Sequence, residues 1–371
     1  MPEGSRTPIS LVDCDVHPAF RQGLRDLLPY LAKTARQRID FAQSSPAGSN
    51  FALPANPLYL NAGGILRRDA SIGGIVPGSD PGVMADQLLT AFGVSRAILL
   101  ASDILGLGAL PDPHLSGAIA RACNDWLAEQ WQQADERYRG TIVIAPQDPD
   151  RAADEIVRLA ADRRFVQIYF PLTNALMGEP RYYPIYEAAE ECGLPIALHP
   201  GAESIYFTGA MPAGGTPTYY LEWHTLLGQA FAANLVSFLV QPVLNRFPAL
   251  KLVVIEAGCG WVPDVLWRLD RNWMSVRDEV PWVTDRPSSL LFGHVRFTTQ
   301  PFIEPETQEH LQAFCSIIHG DRTLMFSSDY PHWDFDSPNR ALSRLPSDVQ
   351  QRIRATNALE FYGDRLSHSA T

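Results

Sequence analysis

Short apolar runs alternate along the chain with amphipathic segments, and most of the runs have the length of buried strands. Eight such runs lie at residues 9–17, 96–101, 140–145, 165–170, 195–198, 250–255, 295–299 and 324–328. Helical patterns separate most of them, which predicts a parallel sheet, and eight strands predict closure into a distorted (β/α)8 TIM barrel. An open doubly wound sheet is the competing interpretation. No glycine-rich dinucleotide-binding motif follows any run, which argues against it.

A long interruption separates the first two runs. Residues 20–81 are rich in proline, glycine, serine and asparagine, and they contain no large apolar set that could form a separate core. Loops of this length usually have a function. We therefore expect one barrel domain spanning residues 1–371, with residues 20–81 as an insertion that forms a lid over the site.

Polar side chains with metal-binding groups follow several of the predicted strands. Asp15 and His17 end the first run, His199 follows the fifth, Glu256 the sixth and Asp329 the eighth. The carboxyl ends of barrel strands meet at one mouth, where active sites form. Taken singly, His199 has the simpler interpretation of a structural histidine and Asp329 that of a helix cap. Taken together, these side chains predict a metal site.

Five motifs show a resemblance to a known family. They are Asp15-x-His17, Leu198-His199-Pro200-Gly201, Arg246-Phe247-Pro248-x-Leu250-Lys251, Trp267-Arg268-x-Asp270 and Phe326-Ser327-Ser328-Asp329-Tyr330-Pro331-His332. With them the chain resembles the amidohydrolase-related family that includes aminocarboxymuconate-semialdehyde decarboxylase and the resorcylate-type decarboxylases. The resemblance implies a distorted barrel with one divalent metal, held by Asp15, His17, His199 and Asp329.

The chain departs from that family at two of these positions. Asp15 stands where the family has histidine or glutamate, and Glu256 stands where its decarboxylases have a histidine. A ligand set of two nitrogens and two carboxylates favours Mn²⁺ over Zn²⁺, with Zn²⁺ left open. The fourth run, residues 165–170, contains no lysine that could be carbamylated to bridge two metals. We therefore expect a mononuclear site.

Two classes of reaction fit these residues. The first is non-oxidative decarboxylation of an aromatic or enoic acid, with Glu256 and Asp329 as catalytic residues. The second is metal-assisted hydrolysis of an amide, lactone or activated C–C bond, with Glu256 as the general base. Glu256 could instead be a further metal ligand or an ion-pair partner of Arg268. A barrel that only binds its ligand would hold no metal.

The predicted substrate is a small planar carboxylate. Arg268 is the candidate for holding its carboxylate. His224, His332, Trp261 and Trp333 are candidates for contacting its ring, with ordinary packing or turn capping as the alternative for each.

Composition narrows the partners and the location. The 41 acidic residues outnumber the 30 basic ones, and the net charge of −11 offers no basic surface for nucleic acid. Residues 225–245 carry no charge but contain several polar residues, so we interpret them as a buried helix, partly in a homodimer interface, and not as a membrane span. The five scattered cysteines and the absence of a signal-peptide pattern predict a cytoplasmic protein.

Overall fold

A barrel of parallel strands forms the centre of the protein. The computed structural model describes residues 9–44, 65–201 and 217–367, and for residues 41–44 it describes the backbone alone. Eight strands form one sheet in chain order. They are β1 (Val12–Val16), β2 (Arg96–Leu99), β3 (Tyr138–Val143), β4 (Phe165–Tyr169), β5 (Ile196–Leu198), β6 (Leu252–Val254), β7 (Val295–Thr298) and β8 (Leu324–Met325). Each lies within a predicted run or overlaps it, and the (β/α)8 barrel is confirmed.

Helices follow the strands and pack around them. The α-helices in the described residues are α1 (Lys33–Ser44), α2 (Pro81–Met84), α3 (Pro113–Trp126), α4 (Pro149–Ala160), α5 (Tyr183–Glu191), α6 (Tyr220–Thr225), α7 (Gly228–Val240), α8 (Val243–Arg246), α9 (Val262–Val276), α10 (Pro287–His294), α11 (Gln308–Ile317), α12 (Gly320–Thr323), α13 (Ser347–Gln351), α14 (Asn357–Tyr362) and α15 (Asp364–Ser367). Wider π-helical turns continue α2, α3 and α13 at Ala85–Thr90, Leu127–Trp131 and Arg352–Thr356. Shorter 3₁₀ helices lie at Arg25–Tyr30, Arg68–Ala70, Ser102–Ala109, Pro180–Tyr182 and Arg277–Glu279.

Three of the helices begin at the same dipeptide, Asp-Pro. The carboxylates of Asp80, Asp112 and Asp148 accept hydrogen bonds from backbone N–H groups in the first turns of α2, α3 and α4. The proline that follows each aspartate suits the first helical position, where the missing N–H would have had no helical partner. Each dipeptide therefore fixes where a helix of the outer layer starts.

Backbone pairing between the first and last strands closes the barrel near the mouth. The N–H of His17 donates to the carbonyl of Tyr330 at 2.8 Å, and the N–H of Asp329 donates to the carbonyl of Asp15 at 3.1 Å. This pairing brings two chain segments more than 300 residues apart into one wall. As a result, the motif after β8 lies directly beside the motif that ends β1.

The C-terminal helices cover the opposite end of the barrel. The guanidinium of Arg96, at the start of β2, donates to the carbonyl of Leu366, and the ammonium of Lys251, just before β6, donates to the carbonyl of Phe361. Phe361 and Leu366 also join a buried cluster with side chains of six strands. Since these strands surround the barrel axis, the cluster fills the end of the barrel interior that faces the C-terminal helices. The polar residues lie at the other end, the mouth.

The predicted insertion between β1 and β2 is described only in part. Residues 45–64 lie outside the described residues, so the lid stays a prediction. Leu66 pairs with His332 in antiparallel fashion, and the N–H of Arg67 donates to the carbonyl of Pro331 at 2.9 Å. The last part of the insertion is therefore fixed against the loop that follows β8.

The uncharged stretch of residues 225–245, predicted as one helix, begins at the last residue of α6 and forms α7 and most of α8. Phe231, Leu235 and Phe238 of α7 are buried in the barrel core, as expected for a helix of the outer layer. By length and composition alone, Tyr220–Val240 could also cross a membrane, a test that core helices pass too. The inward packing of α7 supports the interpretation as a buried helix.

A buried carboxylate beside the mouth makes the stability depend on pH. Asp103, in the 3₁₀ helix Ser102–Ala109, accepts a hydrogen bond from the N–H of Phe20 at 2.8 Å. Burial raises the pKa of Asp103 to about 6. Because the folded protein then holds this proton more tightly than the unfolded chain does, the free energy of unfolding decreases as the pH rises from about 4 through 6.

We therefore expect Asp103→Asn to stabilise the protein at pH 8, because the amide keeps the acceptor and removes the buried charge. The gain should be at most about 3 kcal/mol and should vanish near pH 4. Urea unfolding at the two pH values measures it, with the exposed Asp278→Asn as control. An equal pH dependence in wild type and Asp103→Asn would contradict the expectation.

Candidate metal centre

The predicted ligands lie together at the mouth of the barrel. His17 Nε2 is 3.2 Å from Asp15 Oδ1 and 3.0 Å from Asp329 Oδ1. His199 Nε2 is 3.4 Å from Asp15 Oδ2 and 3.0 Å from Glu256 Oε2. One possible set of ligand atoms, all within 4.8 Å of one another, comes from Asp15, His17, His199 and Glu256. These separations would allow one cation to contact several of the side chains.

A second, overlapping set adds the loop after β8. It consists of His17, Glu256, Asp329 and His332, again with ligand atoms within 4.8 Å of one another. His17 and Glu256 belong to both sets, so the two describe one site and not two separate ones. The structure therefore brings the four predicted ligands and Glu256 together, although the choice of ligands among them stays a prediction.

The backbone at two of these strand ends is in an unusual conformation. Glu256 has φ of 50° and Asp329 has φ of 59°, in the left-handed region that side chains with a β-carbon rarely adopt. Such a conformation costs about 1–2 kcal/mol for each residue. Strain of this kind is concentrated at functional sites. Of the three non-glycine residues with this conformation in the described part of the chain, two are those predicted to be catalytic, and the third, His319, precedes α12.

The two imidazoles are held in one tautomer by backbone carbonyls. The Nδ1–H of His17 donates to the carbonyl of Leu100 at 2.9 Å, and the Nδ1–H of His199 donates to the carbonyl of Pro200 at 2.7 Å. A carbonyl can only accept, so Nδ1 carries the proton in both rings. The Nε2 atoms then face the cluster, as they do in histidines that bind a metal.

Several polar atoms of the cluster are buried and have no hydrogen-bond partner in the described residues. They are both carboxylate oxygens of Asp15, Oδ2 of Asp329, and Nε2 of His17 and of His199. Leaving a buried polar atom unpaired costs about 1–3 kcal/mol. A divalent cation at the centre of the cluster would give several of them a partner. The donor set, with imidazole nitrogens and carboxylate oxygens, therefore fits a metal such as Mn²⁺ or Zn²⁺.

The electrostatics of the cluster favour positive charge. Burial lowers the pKa of His17, but the carboxylates of Asp15 and Asp329 raise it well above the usual range. His199 behaves in the same way, since Asp15 and Glu256 outweigh its burial and raise its pKa to about 10. The mouth therefore attracts cations, and protons compete with a metal for these nitrogens.

His332 lies directly behind one of the predicted ligands. Its ring stacks on that of His17 with centroids 4.4 Å apart, and its Nδ1–H donates to Asp329 Oδ1 at 2.6 Å. This contact fixes the orientation of the Asp329 carboxylate. The position is close enough to the cluster for the predicted substrate contact, and it adds a role that the sequence did not show.

Aromatic side chains form the outer wall of the mouth. The ring of His224, on α6, stacks on Tyr220 with centroids 5.3 Å apart. The indole N–H of Trp333 donates to the hydroxyl of Tyr220 at 3.0 Å, and the Trp333 side chain is half exposed. His224 Nε2 is 4.0 Å from Glu256 Oε1. The predicted contacts His224 and Trp333 thus lie on the same side of the mouth as Glu256 Oε1.

Trp261 and Arg268 are not part of this group. The indole N–H of Trp261 is bonded to the carbonyls of Ala257 and Gly258, and its ring is so close to Gly228 that an added β-carbon would collide with it. Trp261 therefore braces the loop after β6. Arg268 is exposed on α9, about two turns from the end of that helix nearest the mouth. Among the described residues it forms no ion pair with Glu256.

Three polar residues near the mouth, Asp334, Arg67 and Arg68, were not predicted as site residues. Asp334, five residues after Asp329, has its Oδ2 3.3 Å from His224 Nε2 and accepts a hydrogen bond from the side-chain amide of Gln300 at 2.9 Å. In the sequence Asp334 is one of several acidic residues in a loop, and no pattern there indicates which way its side chain points. Arg67 and Arg68, in the insertion, line a surface pocket of about 430 Å³ with Trp333.

Comparison with known proteins shows the family to which the chain belongs. The amidohydrolase family model (Amidohydro_2) matches residues 93–363, and the chain belongs to this family. The γ-resorcylate decarboxylase of Rhodococcus jostii (strain RHA1) is 26% identical over 267 residues, which cover 66% of this chain and 75% of that protein.

Two further relatives extend the picture. The 2-amino-3-carboxymuconate-6-semialdehyde decarboxylase of Dictyostelium discoideum is 21% identical over 269 residues, which cover 70% of this chain and 70% of that protein. A crystal structure of a dihydroxybenzoic acid decarboxylase from Polaromonas sp. JS666, with bound manganese and the inhibitor 2-nitroresorcinol, matches with a TM-score of 0.63 at 18% identity. It covers 96% of this chain and 97% of that one. The resemblance inferred from the motifs is confirmed.

The buried atoms of the cluster that lack a hydrogen-bond partner predict one divalent metal per chain. We expect His199→Gln and Asp329→Asn to lower the bound metal to about a tenth or less, because each removes a charge or nitrogen that the cation needs. Elemental analysis of protein purified with Mn²⁺ measures it. His294→Gln is the matched control, since His294 is a partly buried histidine bonded to the carbonyl of Leu250, away from the mouth. Full metal content in both site variants would contradict the assignment.

Binding should also release protons. Because the pKa of His17 and of His199 is raised in the metal-free cluster, a cation must displace protons at neutral pH. We expect the affinity for Mn²⁺ to rise between pH 6 and pH 8. Calorimetry in buffers with different ionisation enthalpies gives the number of protons released. A pH-independent affinity would show that these histidines are not ligands.

Proposed function

We propose that the chain is a metal-dependent, non-oxidative decarboxylase of a small aromatic carboxylic acid. The main observation is the buried group of Asp15, His17, His199 and Asp329. Several of its nitrogen and oxygen atoms make no hydrogen bond in the described residues, which favours a cation at the catalytic end of the barrel. The family and the decarboxylases among its relatives supply the reaction class. A hydroxylated benzoate such as γ-resorcylate is the proposed substrate type.

The metal is proposed to be held by the four residues named above, and Mn²⁺ is the favoured ion. Two carboxylates beside two imidazoles make an oxygen-rich donor set, and the related Polaromonas structure contains manganese. Zn²⁺ is the alternative. When bound, the metal would supply a Lewis acid that polarises and orients the oxygens of the substrate.

Decarboxylation requires proton transfer by side chains of the protein. When the C–C bond to the carboxylate breaks, its electron pair stays on the ring carbon, which then needs a proton. Glu256 and Asp329 are the proposed catalytic residues, because both carboxylates reach the cluster from strained strand ends. Of the two, Glu256 has an oxygen directed away from His199 and toward His224, where it can exchange the proton of a hydroxyl group on the substrate.

The ring of the substrate is proposed to lie between the metal ligands and the aromatic wall. His224, His332 and Trp333 border that space. Trp261 is proposed to support it from behind the loop after β6. The exposed position of Arg268 does not support the carboxylate contact predicted for it.

We further propose that the protein acts in the cytoplasm as a homodimer. The five cysteines are all free, and four of them are buried, which fits a reducing compartment. Tyr219 and Leu221, at the start of α6, are 70% and 76% exposed. These side chains next to the uncharged helix are candidates for the subunit interface.

Turnover with γ-resorcylate and other ortho-hydroxybenzoates tests the proposed function. The Mn²⁺ enzyme should release carbon dioxide. Glu256→Gln should lower kcat about 100-fold or more, as expected for a lost proton-transfer group, and keep its metal. The exposed Glu279→Gln is the control.

Other outcomes identify the alternatives. Loss of metal from Glu256→Gln would make Glu256 a ligand, and an unchanged rate would make it structural. A hydrolysed product without carbon dioxide would show a metal-assisted hydrolase in which Glu256 is the general base.

A further inference from the structure

We propose that His224, positioned by Asp334, donates the proton that takes the place of carbon dioxide on the substrate ring. The proposal rests on the decarboxylase function above and names a catalytic acid for it. It concerns two residues outside the predicted metal ligands. His224 was predicted only as a contact of the substrate, and Asp334 was not predicted as a site residue.

Three loops of the barrel build this pair. His224 lies on α6, between β5 and β6, Asp334 lies in the loop after β8, and Gln300 follows β7. His224 Nε2 is 3.3 Å from Asp334 Oδ2. The same oxygen accepts a hydrogen bond from the side-chain amide of Gln300 at 2.9 Å, so the carboxylate is held from both sides. Asp334 is therefore a positioning residue for the imidazole.

Two aromatic rings limit the movement of the imidazole. Tyr220 stacks on it at an interplanar angle of 22°, and Trp333 lies with its centroid 5.6 Å away. The side chain of His224 is only 15% exposed. A ring packed in this way has little freedom to rotate, as a proton donor requires.

The Nε2 atom is available to a ligand. It is buried and makes no hydrogen bond in the described residues, because the approach to Asp334 is close but poorly directed. Its other polar neighbour is Glu256 Oε1, at 4.0 Å on the side of the metal ligands. A substrate that binds between the metal ligands and α6 would therefore meet this nitrogen.

The charges around His224 favour its protonated form. The ionisable groups that face it are Asp334, Glu256, Asp329 and the hydroxyl of Tyr220. Burial lowers the pKa of His224, but the contact with Asp334 and the charges of Asp334, Glu256 and Asp329 raise it above the ordinary value. These neighbours therefore favour the protonated ring, which is the form that a general acid needs.

The step balances without an oxidant or a reductant. The bond between the ring carbon and the carboxylate breaks, and carbon dioxide leaves without the bonding electrons. That pair forms a new C–H bond with the proton from His224 Nε2. The neutral imidazole regains a proton from solvent at the mouth. Glu256, on the metal side, is left to exchange the proton of the substrate hydroxyl group.

Kinetics of His224→Gln with Mn²⁺ and γ-resorcylate test the proposal. We expect kcat to fall about 100-fold with KM nearly unchanged, because a general acid acts in the transition state and not in binding. Metal content and the affinity for 2-nitroresorcinol should match wild type, which shows that the site is folded. Added imidazole should restore part of the activity of His224→Ala. His294→Gln is the matched control.

The pH profile of Asp334→Asn tests the positioning role. Removing the negative neighbour lowers the pKa of His224, so the decrease of kcat at high pH should begin at a lower pH than in wild type. Asp336→Asn, two residues along the same loop, should leave the profile unchanged, since Asp336 instead accepts a hydrogen bond from the N–H of Phe302. An unshifted profile in Asp334→Asn would contradict the positioning role.

Other results would overturn the proposal, and they distinguish a wrong role for His224 from a wrong function for the protein. A raised KM with full kcat in His224→Gln would reduce His224 to a binding contact. Wild-type kcat in that variant would exclude His224 as the acid while leaving the decarboxylase intact. Absence of carbon dioxide from the wild-type enzyme with the whole panel of hydroxybenzoates would contradict the proposed function itself.

Discussion

The burial of several charged side chains at the mouth of the barrel is the constraint on which the site depends. Asp15 and Asp329 carry carboxylates into the mouth of the barrel, and the Nε2 atoms of two imidazoles face them because backbone carbonyls hold each Nδ1. Desolvated charges of this kind are costly unless they are paired or coordinate a metal. The barrel tolerates them because closure of β1 against β8 holds the two segments together, and a cation at the centre would offset the cost.

The same constraint explains why the strained residues lie where they do. Glu256 and Asp329 leave their strands in left-handed conformations, which turn their side chains toward the cluster. His332 then fixes Asp329 from behind, while His224 and Asp334 face the cluster from the outer wall. The inner residues are thus the proposed ligands of a cation, and the outer pair is proposed to move a proton.

Much of this arrangement could be predicted from the sequence. Eight apolar runs were enough to locate the strands, and strand ends are where barrels place their sites, so Asp15, His199 and Asp329 could be recognised. Asp334 could not, because its role depends on the direction of a loop and on a helix 110 residues away. Arg268 was selected by analogy, and the helical position that exposes it does not follow from a motif. The insertion has no periodic pattern from which a fold could be read.

The most direct test of the central claim is a crystal of the protein grown with Mn²⁺ and measured at the manganese absorption edge. The account predicts one anomalous peak for each chain, within coordination distance of His17 Nε2, His199 Nε2 and carboxylate oxygens of Asp15 and Asp329. A fully ordered cluster without a peak, or a peak that these side chains do not contact, would contradict it.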